Sequence, residues 1–474
     1  MSKLNGDIFY LIFKELNNDK KTLYSCLLMN KTLCEIIIPT LWRNPWKHLN
    51  YQKVKVLLDV IISHFSDEKR NILRSQNIYF PTNPYKRPLF NYISFCKHLN
   101  LNVIRRIVVN LGIDCILNEI ICLFINENTK FTHLYIPRNF DHYIHLIPGA
   151  ERCFSNIEFL SCYANIDYYL LDGLKTMCKS IKELEIIHNK KCNNYDISEL
   201  IRTQESILNF SFISNNMIKE SGTFFDYSSL AKIYDMSFCQ FLEKSLIKHA
   251  NTIQHLKMTK PPATQILSYF TNLKSLELNN LYYYSDHLWC FIKDLSLPFL
   301  QILYVNCIRV SLLVPLIENT DGYLNEISIY DNLYNDNDCE RIIQAIYTNC
   351  PNLKYLKLNL NYNAFFELEK LLINCQYLTG LFIIKCDYFH WDTCFNILSK
   401  SSPINLYKFK FGYFCNNIEA KSFKLFFNNW KGRYPMLLQF GQLNLKKYNS
   451  LIKKYKKRGI IEKFENDKFG DFEW

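Results

Sequence analysis

The side chains best equipped for chemistry are 18 cysteines and 11 histidines, scattered through 474 residues. No C-x-x-C pair occurs, and no His/Cys group supplies the two close ligands that a structural zinc site takes from one turn. No metal and no other cofactor is therefore expected. The segment Asp387–Trp391 (DYFHW) joins an acid, a histidine and aromatics. It lacks the nucleophile and orienting group of a catalytic constellation and reads as a packed turn. There is no G-x-G-x-x-G and no P-loop, so a doubly wound nucleotide-binding enzyme is disfavoured. The chain is read as a non-enzyme.

The remaining candidates are binding groups. The formal net charge is +12, from 56 basic and 44 acidic residues. Seven of the basic residues are Lys446, Lys447, Lys453, Lys454, Lys456, Lys457 and Arg458, with no acid among them. This run reads as a solvated helix end; an import signal or a polyanion contact are the alternatives. No other basic stripe exists, and nucleic acid is not an expected partner. Met1–Phe13 does not resemble a secretory leader, and no apolar run approaches the ~20 residues that cross a bilayer. A cytoplasmic or nuclear protein with thiols used as small buried hydrophobes, and no membrane association, is the expectation.

Which elements hold these groups follows from apolar spacing. With 49% hydrophobic and 21% charged residues, the chain can fill a large core. Glycine and proline number only 12 and 14 against 50 Asn, so Asn, Asp and Ser must make most turns. Residues 1–48 read as three short helices. In the first, Phe9, Phe13 and Leu16 share the circumference with Ile8, Leu11 and Ile12, so one face packs internally and another needs a cover. Leu23, Cys26 and Leu27 mark a second helix. Thr32 and Glu35 have capping-box spacing for a third, which carries Leu33, Ile36 and Ile37 and which Pro39 is expected to stop.

In order and spacing this segment resembles the F-box. Leu4, Asp7, Ile12-Phe13, Leu16 and the closing Leu41-Trp42 match the family pattern, while Asn5 stands for its proline and Leu33 for its tryptophan. The resemblance implies docking of a Skp adaptor, and through it a cullin, by Leu4, Ile8, Ile12, Phe13, Leu16, Leu27, Leu33, Ile37, Leu41 and Trp42. It also implies that the rest of the chain selects a protein substrate for a Skp–cullin–F-box ubiquitin ligase. A protein-binding scaffold without that link is the alternative.

Beyond residue 100 the pattern apolar-x-x-apolar-x-apolar starts at Ile104, Phe131, Ile157, Ile181, Ile207, Ile253, Leu273, Leu300, Leu324, Leu353, Leu378 and Leu406. Starts lie 20 to 29 residues apart except for one gap of 46, which suggests a degenerate unit near Leu230. This is the strand of a leucine-rich repeat. Eight residues beyond each start, Asn139, Asn165, Asn189, Asn215, Asn332 and Asn361 recur, with Cys386 at a seventh position; chance at 50 in 474 would place about one Asn there. A buried Asn bonding turn backbone explains the preference. Segments such as Glu340–Cys350 and Phe366–Cys375 carry helical spacing between strands.

The expected architecture is α/β: an F-box-like helical unit (1–48), a helical junction and repeat cap (49–100), a leucine-rich-repeat solenoid (101–445) with a curved parallel sheet inside and helices outside, and a basic tail (446–474). In each strand the two residues flanking the central anchor face away from the helices. Toward the C-terminus these include Tyr304, Tyr355, Lys357, Phe382, Lys408 and Lys410. Aromatics beside cations suit a partner with an acidic or phosphorylated segment, and these six are the candidate substrate-binding residues.

Overall fold

The computed structural model describes residues 6–16, 19–47, 49, 51–75, 87–188, 193–214, 236–280, 286–330, 338–384, 390–412, 418–441, 443 and 445–466. The chain divides into two compact units, residues 1–207 with 215–220, and residues 208–214 with 221–474.

The first unit opens with helices α1 (Gly6–Glu15), α2 (Lys20–Leu27) and α3 (Lys31–Trp42). Asp19 caps α2, accepting from the Thr22 amide at 3.2 Å and its hydroxyl at 2.7 Å. Asn30 caps α3 through the Leu33 amide at 2.9 Å. The expected Thr32–Glu35 box is therefore not the start: Asn30 is the cap, and Thr32 already lies inside the helix. Nor does Pro39 end the helix, which continues to Trp42. A proline forfeits one intrahelical bond, and burial of Leu33, Ile37 and Ile38 on the same helix outweighs that loss. Helices α4 (Tyr51–Ser63), α5 (Asp67–Ser75) and α6 (Tyr92–Phe95) follow. Trp46 ties the helices to the first repeats: its indole donates to the His98 carbonyl at 2.6 Å, and its ring packs 5.6 Å from Phe124.

The repeats of this unit contribute strands β1 (His98–Asn100), β2 (His133–Tyr135), β3 (Phe159–Tyr163) and β4 (Glu183–His188), paired parallel in chain order. Central anchors Leu99, Leu134, Leu160 and Leu184 lie in register and are almost fully buried. Each such leucine stabilises the stack by about 1.5–3 kcal/mol. The Ile104 segment is not a strand: Leu101–Asn110 is a helix. The real first strand is anchored by Cys96, Leu99 and Leu101, a cysteine filling the first anchor.

The second unit holds β5 (Asn209–Ser214), β6 (His255–Met258), β7 (Ser275–Asn279), β8 (Ile302–Asn306), β9 (Glu326–Tyr330), β10 (Tyr355–Leu358), β11 (Gly380–Ile383), β12 (Lys408–Phe411), β13 (Met436–Phe440) and β14 (Ile461–Asn466). All pair parallel and consecutively. An order without reversal is that of stacked repeats rather than of a doubly wound sheet. The fold class is accordingly α/β with leucine-rich-repeat architecture. β5 pairs directly with β6, so no strand stands between them in the sheet; the middle of the 46-residue gap, including Leu230, lies outside the described residues.

The array also continues past residue 445. Leu445–Lys457 is a helix burying Tyr448, Ile452 and Tyr455, and β14 extends the sheet. Residues 446–466 are thus repeat structure rather than a tail, with Lys446, Lys447, Lys453, Lys454, Lys456, Lys457 and Arg458 on the exposed side of that helix and its end. β13 escapes the apolar pattern because a register shift after Met436 spaces its buried residues evenly as Met436, Leu438 and Phe440, and β14 because Asn466 stands opposite Phe440.

The Asn position behaves differently from expectation. Asn139 is exposed, with a left-handed backbone (φ 51°), and Asn165 donates to its side-chain oxygen at 3.0 Å. Asn361 caps a short turn through the Ala364 amide at 3.1 Å. Asn189, Asn215, Asn332 and Cys386 lie outside the described residues. Among the described residues a buried asparagine that bonds an adjoining repeat is Asn280, which donates to the Cys307 carbonyl at 3.0 Å.

Candidate functional site

Two surfaces hold the candidate residues. On the helical unit, Phe13, Leu23, Leu33 and Ile37 form a core, with Phe9, Leu16, Cys26, Leu27, Ile36 and Leu41 packed around it. Of the ten expected adaptor contacts, Phe13, Leu33 and Ile37 are therefore interior side chains that join the helices and are not free to dock. Leu16, Leu27, Leu41 and Trp42 are half-buried, and Trp42 packs 4.6 Å from Tyr92. Leu4 lies outside the described residues. Ile8 and Ile12 face solvent, and Leu11, between them in sequence, is 59% exposed. Leu28 and Met29, following α2, are also exposed. Leu11, Leu28 and Met29 were not among the expected adaptor contacts, although the all-round apolar character of α1 already marked Leu11 as a residue in need of cover.

On the second unit, strand register places Tyr304, Ser328, Lys357, Phe382, Lys410 and Gln439 in one row across β8–β13. Glu326, Tyr355, Gly380 and Lys408 form the neighbouring row. All six candidate residues thus come together on one sheet face. Their exposure divides them: Tyr304, Tyr355 and Lys408 are half-buried, whereas Lys357, Phe382 and Lys410 are buried. The Phe382 ring has the Lys357 ammonium 5.0 Å and the Lys410 ammonium 5.2 Å from its centroid. Lys357 also lies 5.4 Å from the Tyr330 ring. These lysines lay their alkyl stems along apolar surface while the aromatic faces attract the cations. The arrangement seats two buried cations among rings, with Lys408 half-buried beside them.

Among the described residues, no group of three or more His, Cys, Asp or Glu side chains is placed to hold a metal ion. His390 is exposed, and Trp391 packs on Phe395 at 5.3 Å and on Phe411 at 5.5 Å; Asp387 lies outside the described residues. Buried thiols are held protonated: burial pushes Cys96, Cys162, Cys178 and Cys375 up to about 12.

No family model matches the chain, and no curated protein matches it. Among solved structures it is similar to the leucine-rich repeat-containing protein LegL7 of Legionella pneumophila, at 15% identity and a TM-score of 0.32, covering 48% of this chain and 78% of that one.

Proposed function

We propose that this chain is the substrate-recognition subunit of a Skp–cullin–F-box ubiquitin ligase, acting in the cytoplasm or nucleus. The observation that carries the reading is the solvent-facing Ile8, Leu11 and Ile12 of α1, on an F-box-like three-helix unit that precedes a repeat array. Apolar side chains grouped on one short helix favour a protein cover. The adaptor would sit there, and the repeats would hold substrate on the face bearing Tyr304, Tyr355, Lys357, Phe382, Lys408 and Lys410. Such a subunit performs no bond chemistry of its own; it accelerates transfer by holding substrate near the conjugating enzyme.

Affinity capture of the full chain tests this. A Skp adaptor and cullin should co-purify, and Ile8→Asp with Ile12→Asp should abolish capture while the melting temperature is unchanged. Phe13→Asp is unsuitable because it places a charge in the core. Absence of any Skp protein from a competent lysate overturns the ligase reading. One observation favours a plain protein-binding scaffold instead: Trp46 fastens the helices to the first repeats, as a cap requires.

A further inference from the structure

The sheet face of the first unit carries a group of side chains that the adaptor reading does not use. Register stacks His98, His133, Phe159 and Glu183 in one row, and Asn100, Tyr135, Ser161 and Glu185 in the next. The His98 and His133 rings stack at 3.8 Å, His133 and Phe159 at 5.3 Å, and Tyr135 lies 5.0 Å from Phe159. A half-buried shelf of four rings therefore ends on two carboxylates of one strand, roughly 7 Å apart along it.

Glu183 is exposed, and Glu185 accepts from the Ser161 hydroxyl at 2.6 Å. Among the described residues neither forms an ion pair, and the adjacent Lys182 turns to Glu158 at 3.2 Å. Two like charges at i and i+2 on one strand face, beside apolar rings, favour a cation that neutralises them. Nor does the shelf supply the neutralising charge: burial holds His98 down to about 3 and His133 below its ordinary value, so both rings are neutral at pH 7. The chain as a whole carries a net charge of +12, yet this ring-backed surface is acidic.

Charge and shape together select the occupant. A guanidinium stacks flat on Tyr135 or Phe159 and donates in parallel to a carboxylate, whereas an anion is repelled and a neutral apolar chain leaves both carboxylates unpaired. We propose that this face docks an extended segment of a partner protein carrying an arginine, held by Phe159, Tyr135, Glu183 and Glu185. The proposal rests on the repeats being a protein-binding surface and is independent of the adaptor.

Fluorescence anisotropy on the full-length chain tests it, with a fluorescein-labelled nine-residue Gly/Ser peptide carrying Arg at alternate positions, and its Lys and Glu counterparts. The Arg peptide should bind saturably, more tightly than the Lys peptide, and more weakly as salt rises. Glu183→Gln with Glu185→Gln should weaken Arg-peptide binding at least tenfold and leave the Glu peptide unaffected. Glu183→Lys, at an exposed position that does not endanger folding, should do the same alone. Phe159→Leu should narrow the preference for Arg over Lys. Equal binding of the Arg peptide by the wild-type, Gln and Lys chains, or no saturable binding of it, overturns the proposal. Skp capture is read separately through α1, so loss of either result leaves the other standing.

Discussion

Ile37 is fully buried, whereas Ile12, also an expected adaptor contact, is 42% exposed. That contrast makes separable predictions for two isoleucines of one short unit. Ile37→Ala should destabilise the helical unit by about 2–5 kcal/mol, measured by chemical denaturation, because it opens a cavity among Phe13, Leu23 and Leu33. Ile12→Asp should leave the denaturation midpoint unchanged and act on binding alone. His98 supplies a pH dependence at the same scale. Its folded value of about 3 lies below its ordinary 6.5, chiefly because burial penalises the charged ring and His133 stacks on it. The unfolded chain therefore binds a proton that the folded chain refuses. Stability is intact above about pH 6.5 and is lost as pH falls toward 3. Melting temperatures recorded from pH 7.5 to 4 should fall less steeply for His98→Gln.

Elements meet most closely where strands end. A Cβ on Gly441 would lie 2.8 Å from the Gly412 carbonyl oxygen, and a Cβ on Gly412 would collide with the Ile384 carbonyl. Both glycines follow a repeat strand, and successive turns stack there with no space for a side chain. Gly441→Ala should cost about 1–3 kcal/mol, seen as a lower denaturation midpoint, by forcing the β12 and β13 turns apart. Trp46 makes an equivalent junction in the first unit. Trp46→Phe keeps the contact with Phe124 but removes the indole donor to the half-buried His98 carbonyl, which retains the weaker Cys96 thiol, a loss of about 1 kcal/mol in the same assay.

Across the whole molecule, thiols report which surfaces are closed. Cys115, Cys122 and Cys290 are exposed, while Cys96, Cys162, Cys178 and Cys375 are buried with their thiols held protonated up to about 12. Iodoacetamide at pH 7.5 followed by peptide mass spectrometry should modify the first three in the native protein and the other four only after denaturation. The same burial sets an alkaline limit. An unfolded thiol ionises near 9 and a folded one near 12, so stability is intact below pH 9 and declines as pH rises toward 12.

The repeat strands β2–β12 were legible because central anchors such as Leu134 and Leu356 must be apolar to fill the stack, and a period of about 25 residues shows through any composition. β1, β13 and β14 were not: Cys96 fills the first anchor of β1, a register shift follows Met436 in β13, and Asn466 closes β14. Pro39 shows the same override inside α3, where burial on one face outweighs a missing hydrogen bond. The six face residues from Tyr304 to Lys410 could be gathered from period alone, because alternation along a strand is a property of the backbone. Their exposure could not. Lys357 and Lys410 read as free cations in sequence, yet the parallel register brings both against Phe382. The chemistry-bearing residues began as scattered cysteines and histidines, and by itself the sequence determined that a repeat array carries them. Only the tertiary structure decided which thiols are sealed, that His98 stacks on His133, and that Phe13, Leu33 and Ile37 hold the helices together while Ile8, Leu11 and Ile12 face outward. The reason is physical: apolar spacing states that a side chain seeks cover, and only the packed neighbours state what covers it.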